Sequence, residues 1–358
     1  MTRKKMNNTI EDVIKDIQPI NYELMENAQG ILDDLTKPKG SLGRLEDFAK
    51  KIVGISGVLH PEFHRKVIFV MAGDHGVIEE DVSAYPQEVT LQMVHNFVQG
   101  GAGINVLAKH VGAEVIVVDM GIAGNFSPKM NIINKKIHFG TKNIAKGPAM
   151  NREEAESSII AGIEILREEN QKNKIDIIGL GEMGICNTTV SSAIVACLTK
   201  TDVEKVTGFG TGISNKQIRK KIYTIRKALN VNKPNPNDGI DVLSKIGGFE
   251  IGGLVGCILA AASLQIPIVI DGFISSASAL VAGTITPKVY DYLFSSHNSV
   301  EKGHEIALNH LKKTPMFDLQ MRLGEGTGAV LGINLIEAGI KILNQMSTFS
   351  QAKIKRKE

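Results

Sequence analysis

Residues 67–76 read VIFVMAGDHG. The run Val67–Ala72 is apolar without a break, as in a strand buried on both faces, and it stops at Gly73-Asp74-His75-Gly76. The same pattern recurs along the chain. Val115–Asp119 leads into Met120-Gly121, Ile175–Leu180 into Gly181-Glu182-Met183-Gly184, and Ile266–Ile270 into Asp271-Gly272. A weaker run, Lys205–Thr207, leads into Gly208-Phe209-Gly210-Thr211-Gly212. Between the runs lie amphipathic stretches such as Gln87–Gly100 and Glu153–Glu168, with helical spacing. Strand, loop and helix in repetition predict crossover units, and hence an α/β fold: a doubly wound, mainly parallel, Rossmann-like sheet. Ligands of such sheets bind beyond the carboxyl ends of the strands, so these loops are expected to share one crevice.

The two chain ends read differently. Thr9–Lys37 has Ile10, Val13, Ile14 and Ile17 on one helical face. The turn Lys37–Leu45 (KPKGSLGRL) follows, and Ser41 or Gly43 can start a helix running to Val58. A last helix is expected over Val330–Gln345. The expectation is a small helical domain built from both ends, residues 1–60 plus 328–358, beside an α/β domain over residues 61–327 that carries the loops. Ile251–Ile270 is uncharged, but Gln265 and Pro267 interrupt it, so it reads as a buried helix and strand rather than a membrane span.

Composition excludes several classes. Hydrophobic residues make up 43% of 358 and charged residues 22%, a globular balance that rules out dominant disorder. Lys+Arg 41 against Asp+Glu 38 leaves +3, with no basic patch beyond the tail at 353–357, so no nucleic-acid partner is expected. Cys186, Cys197 and Cys257 form no CxxC pair, which argues against a disulfide framework and for a reducing, cytoplasmic setting. The N-terminus has no apolar segment of a secretory signal. With 36 glycines and only 5% aromatics, the loops suit ligand approach by backbone rather than by ring stacking.

Several loop residues could carry chemistry. Gly208–Gly212 and the helix after it form a candidate phosphate cradle, with backbone N–H groups and a helix start facing an anion. In that helix Ile218, Ile222, Ile225 and Leu229 make the buried stripe, and Lys221 sits at its edge, either reaching into the crevice or snorkelling at the surface. Asn187, Thr188 and Thr189 can cap a small-residue helix over Val190–Cys197. Glu182, an acid directly after a buried strand, calls for a partner or a function. Glu325 stands between Gly324 and Gly326 with no neighbouring side chain to shield it, as a general base or as an exposed turn acid. Asp74-His75 reads as a hydrogen-bonded structural pair, since no second cluster has metal-ligand spacing. Cys186 has no motif of a thiol nucleophile. Pro267–Ser276 is similar to the signature that handles phosphoribosyl pyrophosphate, but that signature has two adjacent acids and here Gly272 follows Asp271.

Taken in order, the motifs resemble the nicotinate-nucleotide–dimethylbenzimidazole phosphoribosyltransferase family over nearly the whole chain. The matching stretches are KPKGSLGRL, Ala72–Val77 (AGDHGV), Val82–Met93 (VSAYPQEVTLQM), Gly181–Thr189, Gly208–Gly212, Gly247–Gly253 (GGFEIGG), Asp271–Leu280 and Arg322–Gly328 (RLGEGTG). The resemblance implies transfer of the phosphoribosyl group of nicotinate mononucleotide to 5,6-dimethylbenzimidazole, in a homodimer; no cofactor and no metal are expected. It implies Glu325 as the proton acceptor and Glu182 as a supporting carboxylate. It sets Lys221 at the phosphate, with Gly184, Asn187, Thr188, Gly210, Thr211 and Gly212 around the nucleotide. Ser83, Tyr85 and Gln92 would form the base-acceptor pocket. One departure stands out: Cys186 occupies a position in GEMGICNTT where the family's pattern has glycine.

The chemistry agrees with these residues. The glycosidic nitrogen of nicotinate mononucleotide is a pyridinium, so nicotinate leaves without protonation. The benzimidazole attacks C1′ through one nitrogen and loses a proton from the other, for which one carboxylate suffices. Attack opposite the leaving group inverts β to α. Three other readings stay open at this point: a related transferase with another base acceptor, a non-catalytic nucleotide or base binder, and a dinucleotide-dependent oxidoreductase. The last would want G-x-G-x-x-G after the first strand, where this chain has Gly73-Asp74-His75-Gly76.

Overall fold

The computed structural model describes residues 9–127, 129–210 and 212–355. Six strands form one sheet: β1 (Lys66–Gly73), β2 (Glu114–Gly121), β3 (Ile133–Asn134), β4 (Ile177–Met183), β5 (Ile268–Ile270) and β6 (Leu293–Ser295). Their order is β3-β2-β1-β4-β5-β6, and every adjacent pair is parallel. All of β1 is buried, which is why its sequence carries no alternation. The order reverses between β1 and β4, so the crevice of the doubly wound sheet opens beyond their carboxyl ends.

Helices cover the sheet. Phe249–Ser263 lies against Arg152–Lys172, and glycines bring the two backbones together. A Cβ on Gly162 would strike the Gly253 carbonyl, and one on Gly256 would strike that of Ile159. The uncharged stretch is therefore a buried helix followed by β5, as its pattern suggests. Among the described residues no helix is long and apolar enough to cross a membrane.

Three local expectations change. Thr9–Lys37 is not one helix but two, Ile10–Asp16 and Tyr22–Asp34. Pro19 lies between them with no N–H to give, and Asn21 caps the second, its side chain accepting the Leu24 N–H at 3.0 Å. Lys205–Thr207 is not a strand: Val203–Val206 forms a helical turn in which Asp202 accepts the Glu204 N–H. The edge strands β3 and β6, only 2 and 3 residues long, are additions to the pattern of apolar runs.

The main core runs from Val13 through the sheet to Ile340. A second, smaller cluster joins the chain ends: Ala28, Leu32 and Leu35 from Tyr22–Asp34 and the residue after it, Ala49 and Val53 from Arg44–Ser56, and Leu343 from Thr327–Gln345. The last helix belongs to both, since Ala329, Val330, Ile333 and Ile336 lie in the main core. Gly339 lets it press against the Leu45 carbonyl.

Candidate active site at the carboxyl ends of the strands

The loops beyond β4, β5 and β6 enclose a cleft of about 410 Å³, a size suited to small molecules. Glu182, Asp271, His297, Glu301 and Glu325 line it, with Tyr85, Val89 and Met93 on one wall. Acids thus converge from four separate segments.

Glu325 sits on a strained turn. Gly324, Glu325 and Gly326 all take left-handed backbone, with φ of 83°, 63° and 91°. The turn is held by Asp271 at the end of β5. Its Oδ2 accepts the Gly326 N–H at 3.1 Å, and its Oδ1 accepts those of Gly328 at 2.6 Å and Ala329 at 3.1 Å. Gly181 in β4 leaves room for the turn, since a Cβ there would strike the Glu325 carbonyl. The unshielded acid expected from the flanking glycines is in fact only 4% exposed. Its shielding comes from remote segments: the Ile104 N–H, at the start of the helix Gly103–Val111, donates to Oε2 at 3.0 Å. Burial raises the Glu325 pKa and that backbone bond partly opposes it. Burial also pushes Asp271 up to about 7, against its three backbone bonds.

Glu182 lies at the carboxyl end of β4, buried in the cleft wall. Its Oε2 accepts from the Asn187 amide. Burial, then the charges of Asp271 and Glu250, push its pKa to about 8, with a smaller push from Glu325. A carboxyl in that state is protonated at neutral pH. The expected cap by Asn187, Thr188 or Thr189 does not form, because Asn187 is engaged with Glu182 and Thr188 with Lys221. The helix starts at Asn187 instead, and Cys186 precedes it in left-handed backbone at φ 78°. That conformation explains why glycine suits the position. Burial pushes the Cys186 thiol up to about 12, so it carries no thiolate at neutral pH.

The cradle lies on the other side of Thr188. Lys221 donates to Thr188 Oγ1 at 2.9 Å and to the Gly208 carbonyl at 3.3 Å. It is 1% exposed, and it stands with Thr224, Ile225 and Ala228 on the buried face of its helix. The expected stripe therefore shifts: Ile218, Ile222 and Leu229 are only half-buried. Burial lowers the Lys221 pKa to about 8, with Glu301 pulling it back up. Gly210 has no space for a side chain, because a Cβ would meet Thr188 Oγ1 at 2.7 Å and Lys221 Nζ at 3.3 Å. Gly184 packs on the Gly73 carbonyl at the switch point, and Gly212 is left-handed at φ 97°. Thr211 lies outside the described residues.

Of the three acceptor-pocket residues, Tyr85 lines the cleft, 52% exposed at its mouth. Ser83 stands behind it, its Oγ accepting the Tyr85 N–H at 3.3 Å and bonded to the Cys186 thiol. Gln92 is exposed and does not line the cleft, whereas Val89 and Met93 of the same helix do. Asp74 and His75 are not bonded to each other. Asp74 Oδ2 accepts the Ala123 N–H at 2.8 Å, and His75 Nε2 meets Glu250 Oε1 at 2.9 Å, with all three side chains buried. Burial works against charge on His75, but Glu250 and Asp74 raise its pKa. Among the described residues no group of three His, Cys, Asp or Glu is arranged to hold a metal. Sequence reading missed Asp271 as an anchor, and it missed Glu301, Arg322 and His297. The only signal for Asp271 was an acid directly after a buried strand.

A family model described as a phosphoribosyltransferase matches residues 17–354. A nicotinate-nucleotide–dimethylbenzimidazole phosphoribosyltransferase of Geobacter metallireducens is 52% identical over 347 residues, covering 97% of this chain and 98% of that protein. One of Desulforudis audaxviator is 53% identical over 339 residues, covering 95% and 96%. The crystal structure of such an enzyme from Thermus thermophilus superposes with a TM-score of 0.89 at 38% identity, covering 94% of this chain and 100% of that one.

Proposed function

The chain belongs to the nicotinate-nucleotide–dimethylbenzimidazole phosphoribosyltransferase family, and from that premise we propose how its cleft performs the reaction. The enzyme moves the phosphoribosyl group of nicotinate mononucleotide to 5,6-dimethylbenzimidazole, giving α-ribazole 5′-phosphate and nicotinate. The nucleotide's phosphate sits on Lys221 and the Gly208–Gly212 loop, with Thr188 holding the lysine toward it. Glu325 Oε2 is fixed by the Ile104 N–H, and its other oxygen takes the proton that the benzimidazole loses as its second nitrogen attacks C1′. Attack opposite nicotinate inverts the anomeric centre. The raised pKa of Glu325 strengthens it as a base. Glu182, protonated at neutral pH, adds a neutral polar wall beside it rather than a second negative charge.

One observation carries the assignment of roles. A buried, oriented carboxylate with a raised pKa lines a cleft whose wall includes Thr188 and Gly210, and the buried Lys221 stands directly behind those two residues. The test is to incubate the protein with nicotinate mononucleotide and 5,6-dimethylbenzimidazole and follow nicotinate and α-ribazole phosphate by mass-resolved chromatography. Glu325→Gln keeps the shape and should lose on the order of 10²–10⁴-fold in kcat. Turnover near wild type would sink the base assignment, and silence of the wild type with every benzimidazole and purine acceptor would sink the reaction.

We take the small helical unit as residues 1–60 with 328–358, supported by the separate apolar cluster of the two chain ends. A homodimer, as the resemblance implies, in the reducing cytoplasm that the cysteine pattern suggests, completes the reading. A single-chain mass by light scattering would contradict the dimer.

A further inference from the structure

Glu301 has no role in the reaction as described so far. It follows β6, and its turn is fixed from behind. The Glu301 N–H donates to Ser299 Oγ at 3.3 Å, and the Glu301 carbonyl accepts the His304 N–H at 2.9 Å. His304 Nδ1 in turn accepts the Ser299 N–H at 3.0 Å, and its Nε2 meets Ser276 Oγ at 3.1 Å. This brace carries the carboxylate to the wall shared by the cleft and the groove beside it, where the residue is 9% exposed. Gly208 has no room for a side chain against Oε2, and the Gly210 N–H is directed at the carboxylate. Lys221 and Arg322 supply positive field nearby. Among the described residues no cation closes an ion pair with it within 4.0 Å, and Oε2 meets no donor.

A buried carboxylate oxygen without a donor is costly unless a ligand satisfies it. The substrates offer few donors. The phosphate and the nicotinate carboxylate only accept, and the benzimidazole N–H is taken by Glu325. The ribose 2′- and 3′-hydroxyls remain, and the ribose adjoins the phosphate as Glu301 adjoins the cradle. On the proposed function above, we infer that Glu301 accepts a ribose hydroxyl of the nucleotide and selects ribonucleotide over deoxyribonucleotide donors. A site built around a substrate hydroxyl rejects the analogue that lacks it, because the buried acceptor is then left unpaired.

The test compares kcat/KM for nicotinate mononucleotide and its 2′-deoxy and 3′-deoxy analogues, each with 5,6-dimethylbenzimidazole. Wild type should lose roughly 10- to 150-fold on the analogue missing the bonded hydroxyl, the range for a hydrogen bond to a charged group. In Glu301→Ala that ratio should fall to within about threefold of unity, the scatter of uncoupled changes. Glu301→Gln, which keeps the side chain's size and one acceptor oxygen, should lie between. Equal use of all three donors by wild type would overturn the inference while leaving the transferase reading standing. So would a variant that keeps the wild-type ratio. Failure of wild type to use nicotinate mononucleotide at all would overturn both, and is a different result from equal use.

Discussion

Replacing Asp271 by Asn preserves the outline of the side chain and removes one of its two acceptor oxygens. Above about pH 7, where it is ionised, the native carboxylate takes the N–H groups of Gly326, Gly328 and Ala329. The amide oxygen can still serve the Gly328 and Ala329 pair. The NH₂ group then faces the Gly326 N–H, donor against donor. A hydrogen bond to a charged group contributes about 1.5–3 kcal/mol, so one lost bond and two weakened ones give about 3 kcal/mol of destabilisation. Unfolding entropy of about 2.1 cal/mol/K per residue then sets a fall in Tm of about 4 °C for the 358 residues. Gly326 is next to Glu325, so the lost bond releases the left-handed turn that aims this residue, the base proposed above. The fall in kcat should approach the loss of the base itself, on the order of 10²–10⁴-fold. KM for the nucleotide should hold to within about threefold, because Lys221 and its loop are anchored elsewhere. Differential scanning calorimetry and steady-state kinetics read both quantities. A near-native kcat beside the lowered Tm would make Asp271 a stability residue only, and an unchanged Tm would refute the bond count.

Lys221→Ala should raise KM for nicotinate mononucleotide roughly 10- to 150-fold with little change in kcat, and an unchanged KM would remove it from the phosphate site. Burial raises Glu325, so the acid limb of kcat/KM should lie above the usual glutamate value of about 4.3, with rate lost as pH falls through it; a limb at or below that value would contradict the buried base. Glu182 is raised to about 8 from 4.5, so its contribution to folding is complete below 4.5 and is lost as pH rises through 8. Glu182→Gln should therefore gain stability relative to wild type from about pH 5 to about pH 9 in urea denaturation, and a constant difference across that range would refute the raised pKa.

The sheet was legible because its central strands are buried on both faces and announce themselves as unbroken apolar runs ending in glycine or acid. β3 and β6 are too short to make such a run. Glu325 stands out because two glycines flank it, but its burial does not, because Ile104 is 221 positions away. Asp271 lacks the second acid that would mark a pyrophosphate site, while its true partners are main-chain N–H groups 55 to 58 residues downstream, which leave no mark in a sequence. Lys221 reads as the edge of an apolar stripe. Helical spacing counts only side chains, and the Gly208–Gly210 loop that buries Lys221 presents backbone. Glu301 follows no motif at all, and only the brace from His304 brings it to the cleft wall.

The helix Thr327–Gln345 begins directly after the Glu325–Gly326 turn and ends in the apolar cluster of the chain termini. Its 19 residues make a spar about 28 Å long. Clamped at Gly339 against Leu45 and tied at its start to Asp271, it behaves as a lever with Glu325 at one tip. Pivoting at that clamp, about 18 Å from the helix start, a tilt of about 3° moves the tip by about 1 Å, and a misplacement of that size costs on the order of 10²-fold in rate. The terminal helices, at the other end of that spar, thereby hold the aim of Glu325.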